Sequence, residues 1–118
     1  LRILFDQNVP RTLSRYLTGH DVTRSAQLGW QELKNGDLIR ATEDAGFHLL
    51  MTCDLNLEHQ QTVIGRRVAI VALSTNNWPL MLGHSAEILR VTDEIQPGEY
   101  RFVDCGIFSR KLRTPDKD

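Results

Sequence analysis

Leu1-Arg2-Ile3-Leu4-Phe5-Asp6-Gln7-Asn8-Val9-Pro10-Arg11 is the stretch on which the fold turns. Ile3, Leu4 and Phe5 form a short unbroken apolar run, which suits a strand buried on both faces of a parallel sheet. The run stops at Asp6, and Pro10 fits the first turn of a helix that follows. Asp6 therefore stands where a buried strand gives way to a loop. In open α/β sheets that carboxyl rim is where ligands bind. Asn8, two residues on, shares the side of Asp6 if the extended geometry continues. A carboxylate and an amide oxygen aimed at one point make an oxygen-rich site of the kind Mg²⁺ or Mn²⁺ takes. Alone, the pair also has a plainer reading, because Asp and Asn make turns and cap helices.

The pattern returns downstream. Phe47-His48-Leu49-Leu50-Met51 is a nearly continuous apolar strand. Thr52-Cys53-Asp54-Leu55-Asn56 follows it, again with an acid and then an amide two residues later. Val68–Leu73 is the clearest strand, apolar throughout with β-branched members, and it ends on Ser74-Thr75-Asn76-Asn77. His20–Thr23 reads as a short strand, and Tyr100–Val103 as a last edge strand. Helices are expected over Pro10–Leu17, from an Asn35 N-cap to Gly46 with Asp37 in the first turn, and over Leu57–Ile64. The longest is expected over Trp78–Ile95, where Met81, Ile88 and Ile95 recur on one face and His84 falls on the exposed side. Ser25–Trp30 suggests a helical turn ending at Gly29, with Leu28 and Trp30 tucked on the core and Trp30 as a packing anchor. His48 reads as a core or edge histidine, and Cys53 as a small core residue.

These elements predict a three-layer α/β/α sandwich with right-handed crossovers. Its central, mostly parallel sheet has four to five strands in the order 2-1-3-4. One domain spans 1–108, and the polar segment 109–118 is expected to be a disordered tail.

Composition narrows the classes. The 118 residues are enough for a core without staples. Hydrophobic residues are 41% and charged residues 25%, as in soluble globular proteins. No apolar run approaches the roughly 20 residues of a membrane span, and the opening residues read as a core strand rather than a signal peptide. A cytoplasmic chain with reduced Cys53 and Cys105 is expected. A net charge of −1 excludes a general basic nucleic-acid coat. It leaves room for an RNA-cutting enzyme with an acidic metal site. His48, Cys53 and His59 lack a zinc spacing.

Three carboxylates fall in one expected region. If strands one and three are neighbours, Asp6 and Asp54 stand about 4.8 Å apart at the backbone, and Asp37 begins the helix that feeds strand three. Carboxylates so close raise one another's pKa, and a divalent cation removes that penalty. The cation also lowers the pKa of a bound water and stabilises charge on a phosphodiester oxygen. Asp6, Asp37 and Asp54 are thus candidate metal ligands, with water as the nucleophile.

Leu4-Phe5-Asp6-Gln7-Asn8-Val9-Pro10, Asn35-Gly36-Asp37-Leu38-Ile39 with Ala41 and Ala45-Gly46, and Leu50-Met51-Thr52-Cys53-Asp54-Leu55-Asn56-Leu57 together resemble a PIN-like domain. The resemblance covers about residues 1–95 and is nearest to short bacterial members of uncharacterised function. It implies a Mg²⁺- or Mn²⁺-dependent single-strand ribonuclease, often the toxin of a toxin–antitoxin pair, with an antitoxin or a second copy as protein partner. Asp6, Asp37 and Asp54 match the family's acidic positions, and Asn8, Thr52 and Asn56 its accessory polar ones. The chain departs from the pattern at a further acid between the first and third motifs, for which Glu32 is the only nearby candidate. Arg11, Arg15, Arg40, Arg66 and Arg67 are candidates to rim the site for RNA, and Arg110, Lys111 and Arg113 lie in the tail.

Two other readings accompany this one. A phosphoacceptor receiver domain, with Asp54 as acceptor, fits the length and the alternating order. Against it, Gln7 follows Asp6 where a second acid is usual, and no Lys ends a fifth apolar strand. A haloacid-dehalogenase-type phosphatase fits less well, since Asn8 stands where its second Asp belongs. The other reading is a PIN-like fold kept as a non-catalytic binding or assembly module.

Overall fold

Strands with no polar alternation need cover on both faces, and in the computed structural model they have it. The structure describes residues 1–55 and 62–106. Five strands, β1 (Arg2–Phe5), β2 (Asp21–Arg24), β3 (Leu49–Thr52), β4 (Ala69–Leu73) and β5 (Tyr100–Val103), form one sheet in the order β2-β1-β3-β4-β5. Every pairing is parallel, including that of the edge strand β5 with β4. The α-helices that lie within the described residues are α1 (Asn35–Asp44), α2 (Trp78–Leu82) and α3 (Ser85–Glu94). The helix expected over Leu57–Ile64 falls largely outside the described residues, as do Asn56 and the tail.

Register sorts the side chains into two cores. Ile3, Leu49 and Ala69 are paired across the sheet, as are Phe5, Met51 and Val71. These odd-numbered residues join Leu13, Leu17, Met81, Ile88 and Val91 in one cluster. Leu4, Leu50 and Ile70 form the intervening row and pack on Leu38, Ile39 and Phe47. The period-2 alternation of a strand thus gives odd residues to the α2–α3 face and even residues to the α1 face. Trp30 packs on that second cluster, its ring edge-on to Phe47 with centroids 6.4 Å apart. The packing-anchor reading of Trp30 holds.

Several local expectations change. The first helix is a 3₁₀ turn, Arg11–Tyr16, anchored in the core by Leu13. The turn expected to end at Gly29 is present, as 3₁₀ Ser25–Leu28 with Gly29 in the left-handed conformation, but Leu28 is exposed rather than tucked on the core. The helix expected over Trp78–Ile95 is broken at Gly83 and His84. Glycine is poor in a helix interior, and His84 satisfies the end of α2: its Nδ1 lies 3.1 Å from the Leu80 carbonyl, a contact that needs the proton on Nδ1. His84 is consequently part-buried rather than on the exposed side. Met81 and Ile88 still face one core, so the heptad spacing survives the break. At α1, Lys34 holds the cap position and Asn35 is the first helical residue, with a φ of 51° that asparagine tolerates.

The amino rim of the sheet is tied together by Glu43 of α1. It accepts the Arg67 backbone N–H at 2.7 Å and the Arg66 guanidinium at 2.9 Å. The Arg67 amide, aided by Arg66, holds the Glu43 carboxyl below the usual carboxylate range against the opposing effect of burial. No helix among the described residues is long and apolar enough to cross a membrane.

Candidate active site

Because all five strands run the same way, all their carboxyl ends share one rim. The strand order reverses direction between β1 and β3, and in such sheets the crevice beyond that point is the usual ligand site. Phe5 pairs with Met51, so Asp6 follows on opposite Thr52. The ladder continues one step, with Asp6 N–H donating to the Met51 carbonyl at 2.9 Å. Asp6, Asn8, Thr52 and Asp54 are all even-numbered, so strand alternation carries this set toward the α1 side.

Thr52 is the hinge of the arrangement. It is fully buried. Its hydroxyl donates to Asp6 Oδ2 at 2.8 Å and accepts the Asp54 backbone N–H at 3.0 Å. The Gln7 N–H donates to Asp6 Oδ1 at 2.8 Å. Each Asp6 oxygen thus accepts a bond and retains a second lone pair. Asn8 Oδ1 accepts the Cys53 N–H at 3.3 Å and so ties the loop after β1 to the loop after β3. A Thr52→Val substitution keeps the shape and removes the hydroxyl. It is expected to cost about 1–3 kcal/mol, because the Asp54 N–H and the Asp6 carboxylate each lose a partner. Urea unfolding measures this, and a change below about 0.5 kcal/mol, the scale of an ordinary surface substitution, would show that the hydroxyl bonds are not structural.

Above these residues lies a cleft of about 430 Å³. The strand ends supply Asp6, Asn8 and Asp54 to its wall, and the start of α1 supplies Lys34, Asn35 and Leu38. Two carboxylates therefore share a cleft with a lysine and the positive end of a ten-residue helix, a combination that suits an ion pair of cation and phosphate.

Asp37 does not join them. Its side chain is 68% exposed and pairs with Arg40 one turn along α1, the usual fate of opposite charges three residues apart on a helix. Among the described residues no group of three or more His, Cys, Asp or Glu side chains is placed to hold one metal ion. The expected three-aspartate cluster is thus a pair in this structure, Asp6 and Asp54. Glu32 is exposed and does not line the cleft.

The expected arginines scatter for a topological reason. Arg66 and Arg67 precede β4, so they lie on the amino rim, about 13 Å of strand away from the carboxyl rim. Arg67 there lines a small recess with His48 and Ala69. Arg40 is taken by Asp37, and Arg15 is exposed in the last turn of its 3₁₀ segment. Arg11 alone of the five reaches the rim, in a second cleft beside Asp6. Sequence reading missed two cations at the rim, Lys34 and Arg24. Arg24 carried a usable signal, since it closes a parallel strand at its carboxyl end.

No family model matches the chain, nor does any curated protein or solved structure.

Cys53 points the other way, its thiol donating to the Thr75 carbonyl at 3.4 Å. Burial first, then Asp6 and Cys105, push that thiol up to about 12. A thiol held neutral in this way is no nucleophile. Cys53 and Cys105 are both unpaired.

Proposed function

We propose that this chain is a PIN-like, divalent-metal-dependent ribonuclease acting on single-stranded RNA. The observation that carries the reading is the placement of Asp6 and Asp54 in one cleft at the β1–β3 rim. Two carboxylates fit Mg²⁺, which commonly takes only one or two from the protein and completes its shell with waters and substrate phosphate. Asp6 and Asp54 would hold the ion, Mg²⁺ or Mn²⁺. When bound it supplies an activated water and stabilises charge on the phosphodiester. Thr52 and the Gln7 N–H fix the orientation of Asp6, as outer-shell partners do for metal ligands. Lys34 and the start of α1 attract the phosphate. Asp37 in this reading is the ion-pair partner of Arg40. A toxin role and an antitoxin partner follow from the resemblance in sequence.

Incubation of mixed single-stranded RNA with the folded protein tests the proposal. Cleavage with Mn²⁺ and none with EDTA supports it. Intact RNA under both conditions overturns it and leaves a binding module.

The receiver reading draws on the same strand order and on the exposed Asp54 after β3. Its hydroxyl partner would be Ser74 or Thr75 after β4, and both hydroxyls are engaged, Thr75 Oγ1 accepting the Asn77 N–H at 3.0 Å. Ser74 Oγ donates to the Gly106 carbonyl at 2.9 Å and accepts the Cys105 N–H at 2.8 Å. The nuclease reading therefore leads.

A further inference from the structure

A second cleft, of about 250 Å³, opens on the other side of Asp6. It shares Asp6 and Gln7 with the larger cleft and adds Arg11, Arg24 and Gln31. Register explains why the two clefts flank the rim. Phe5 pairs with Arg24, and paired residues of a parallel sheet point to one face. Phe5 belongs to the core beneath the Arg11–Tyr16 turn, so Arg24 emerges on that face and Asp6, one residue past Phe5, on the other. Arg11 opens the turn that covers the Phe5 side.

Neither guanidinium forms an ion pair among the described residues, whereas Arg40, Arg66, Arg90 and Arg101 all do. Asp6 lines the same cleft, and no ion pair joins its carboxylate to either guanidinium. Two arginines without an ion-pair partner in a concave site suit a phosphate, which takes guanidinium donors in fork geometry. The two clefts meet over Asp6 and Gln7.

We propose that the Arg11–Arg24 cleft binds the backbone phosphate next to the one cleaved. A single RNA strand then crosses the rim over Asp6 and Gln7 with one phosphate in each cleft. This rests on the ribonuclease reading and adds to it the path of the substrate.

The test is binding rather than turnover. A short fluorescein-labelled single-stranded RNA is titrated in EDTA, with anisotropy read at several salt concentrations. The Arg11→Ala/Arg24→Ala double variant is expected to bind at least about tenfold more weakly at low salt. Its salt slope should be shallower by about 0.7, from one lost phosphate contact on a single strand. Arg11→Lys/Arg24→Lys keeps the charges and should restore the slope, which separates charge from folding. Arg67→Ala, on the opposite rim, should bind as the parent does. Unchanged binding by the folded alanine variant, or no binding by the parent, overturns the proposal. Arginine-dependent binding without any Mn²⁺-dependent cleavage would keep the cleft and remove the nuclease. Cleavage with arginine-independent binding would do the reverse.

Discussion

Asp6→Asn is expected to lower Mn²⁺-dependent RNA cleavage at least about a hundredfold, the scale on which metal sites respond to loss of a ligand or its support. Asp37→Asn is expected to leave cleavage unchanged. The contrast comes from placement. Asp6 lines the cleft with Asp54 and is oriented by Thr52, while Asp37 pairs with Arg40 on the exposed side of α1. Asparagine keeps the size of the side chain and can still accept from Thr52 through its amide oxygen. A drop in cleavage then reports the lost charge and not a collapsed rim. Initial rates on a labelled RNA, with Mn²⁺ varied, measure both variants. Equal losses in the two would mean that Asp37 turns inward when the ion binds. Equal retention would remove Asp6 from the chemistry.

The second large effect is on stability. Leu50→Ala is expected to destabilise the fold by about 2–5 kcal/mol. Leu50 is fully buried on the central strand β3, between Leu4 and Ile70 in the row that packs on α1. Neither sheet neighbour can move into the space, because both are fixed by strand pairing, so the hole persists. A domain of this kind has only about 5–15 kcal/mol in total. The variant should therefore unfold at distinctly lower urea with an unchanged slope. A loss below about 1 kcal/mol would mean that α1 settles into the vacated volume.

Much of this was legible because strand chemistry is local. Ile3–Phe5 and Val68–Leu73 have no polar alternation, and only a doubly covered parallel strand accepts that. Once the strands are parallel, Asp6 and Asp54 must share a rim. The same logic should have removed Arg66 and Arg67 from the site, since residues that precede a strand lie on the other rim. It should also have added Arg24. What the pattern does not encode is which partner a surface side chain takes. Asp37 sits where a first-turn acid belongs, and only the position of Arg40 decides that it turns away. The break at Gly83 was hidden because Met81 and Ile88 face the same core on either side of it. The 3₁₀ form of Arg11–Tyr16 was hidden because a single buried leucine is too short a period to separate the two helix types.

The side-chain bond from Thr52 to Asp6 joins β1 and β3 just where their backbone pairing ends. It acts as one more rung on the ladder, made from side chains. The separation of the two strand ends that lead to Asp6 and Asp54 is therefore tied to the sheet spacing, a quantity that varies little. On the proposed reading, an ion or phosphate at this rim would meet two strand ends held at the sheet spacing and would fit by its own radius and the waters it keeps.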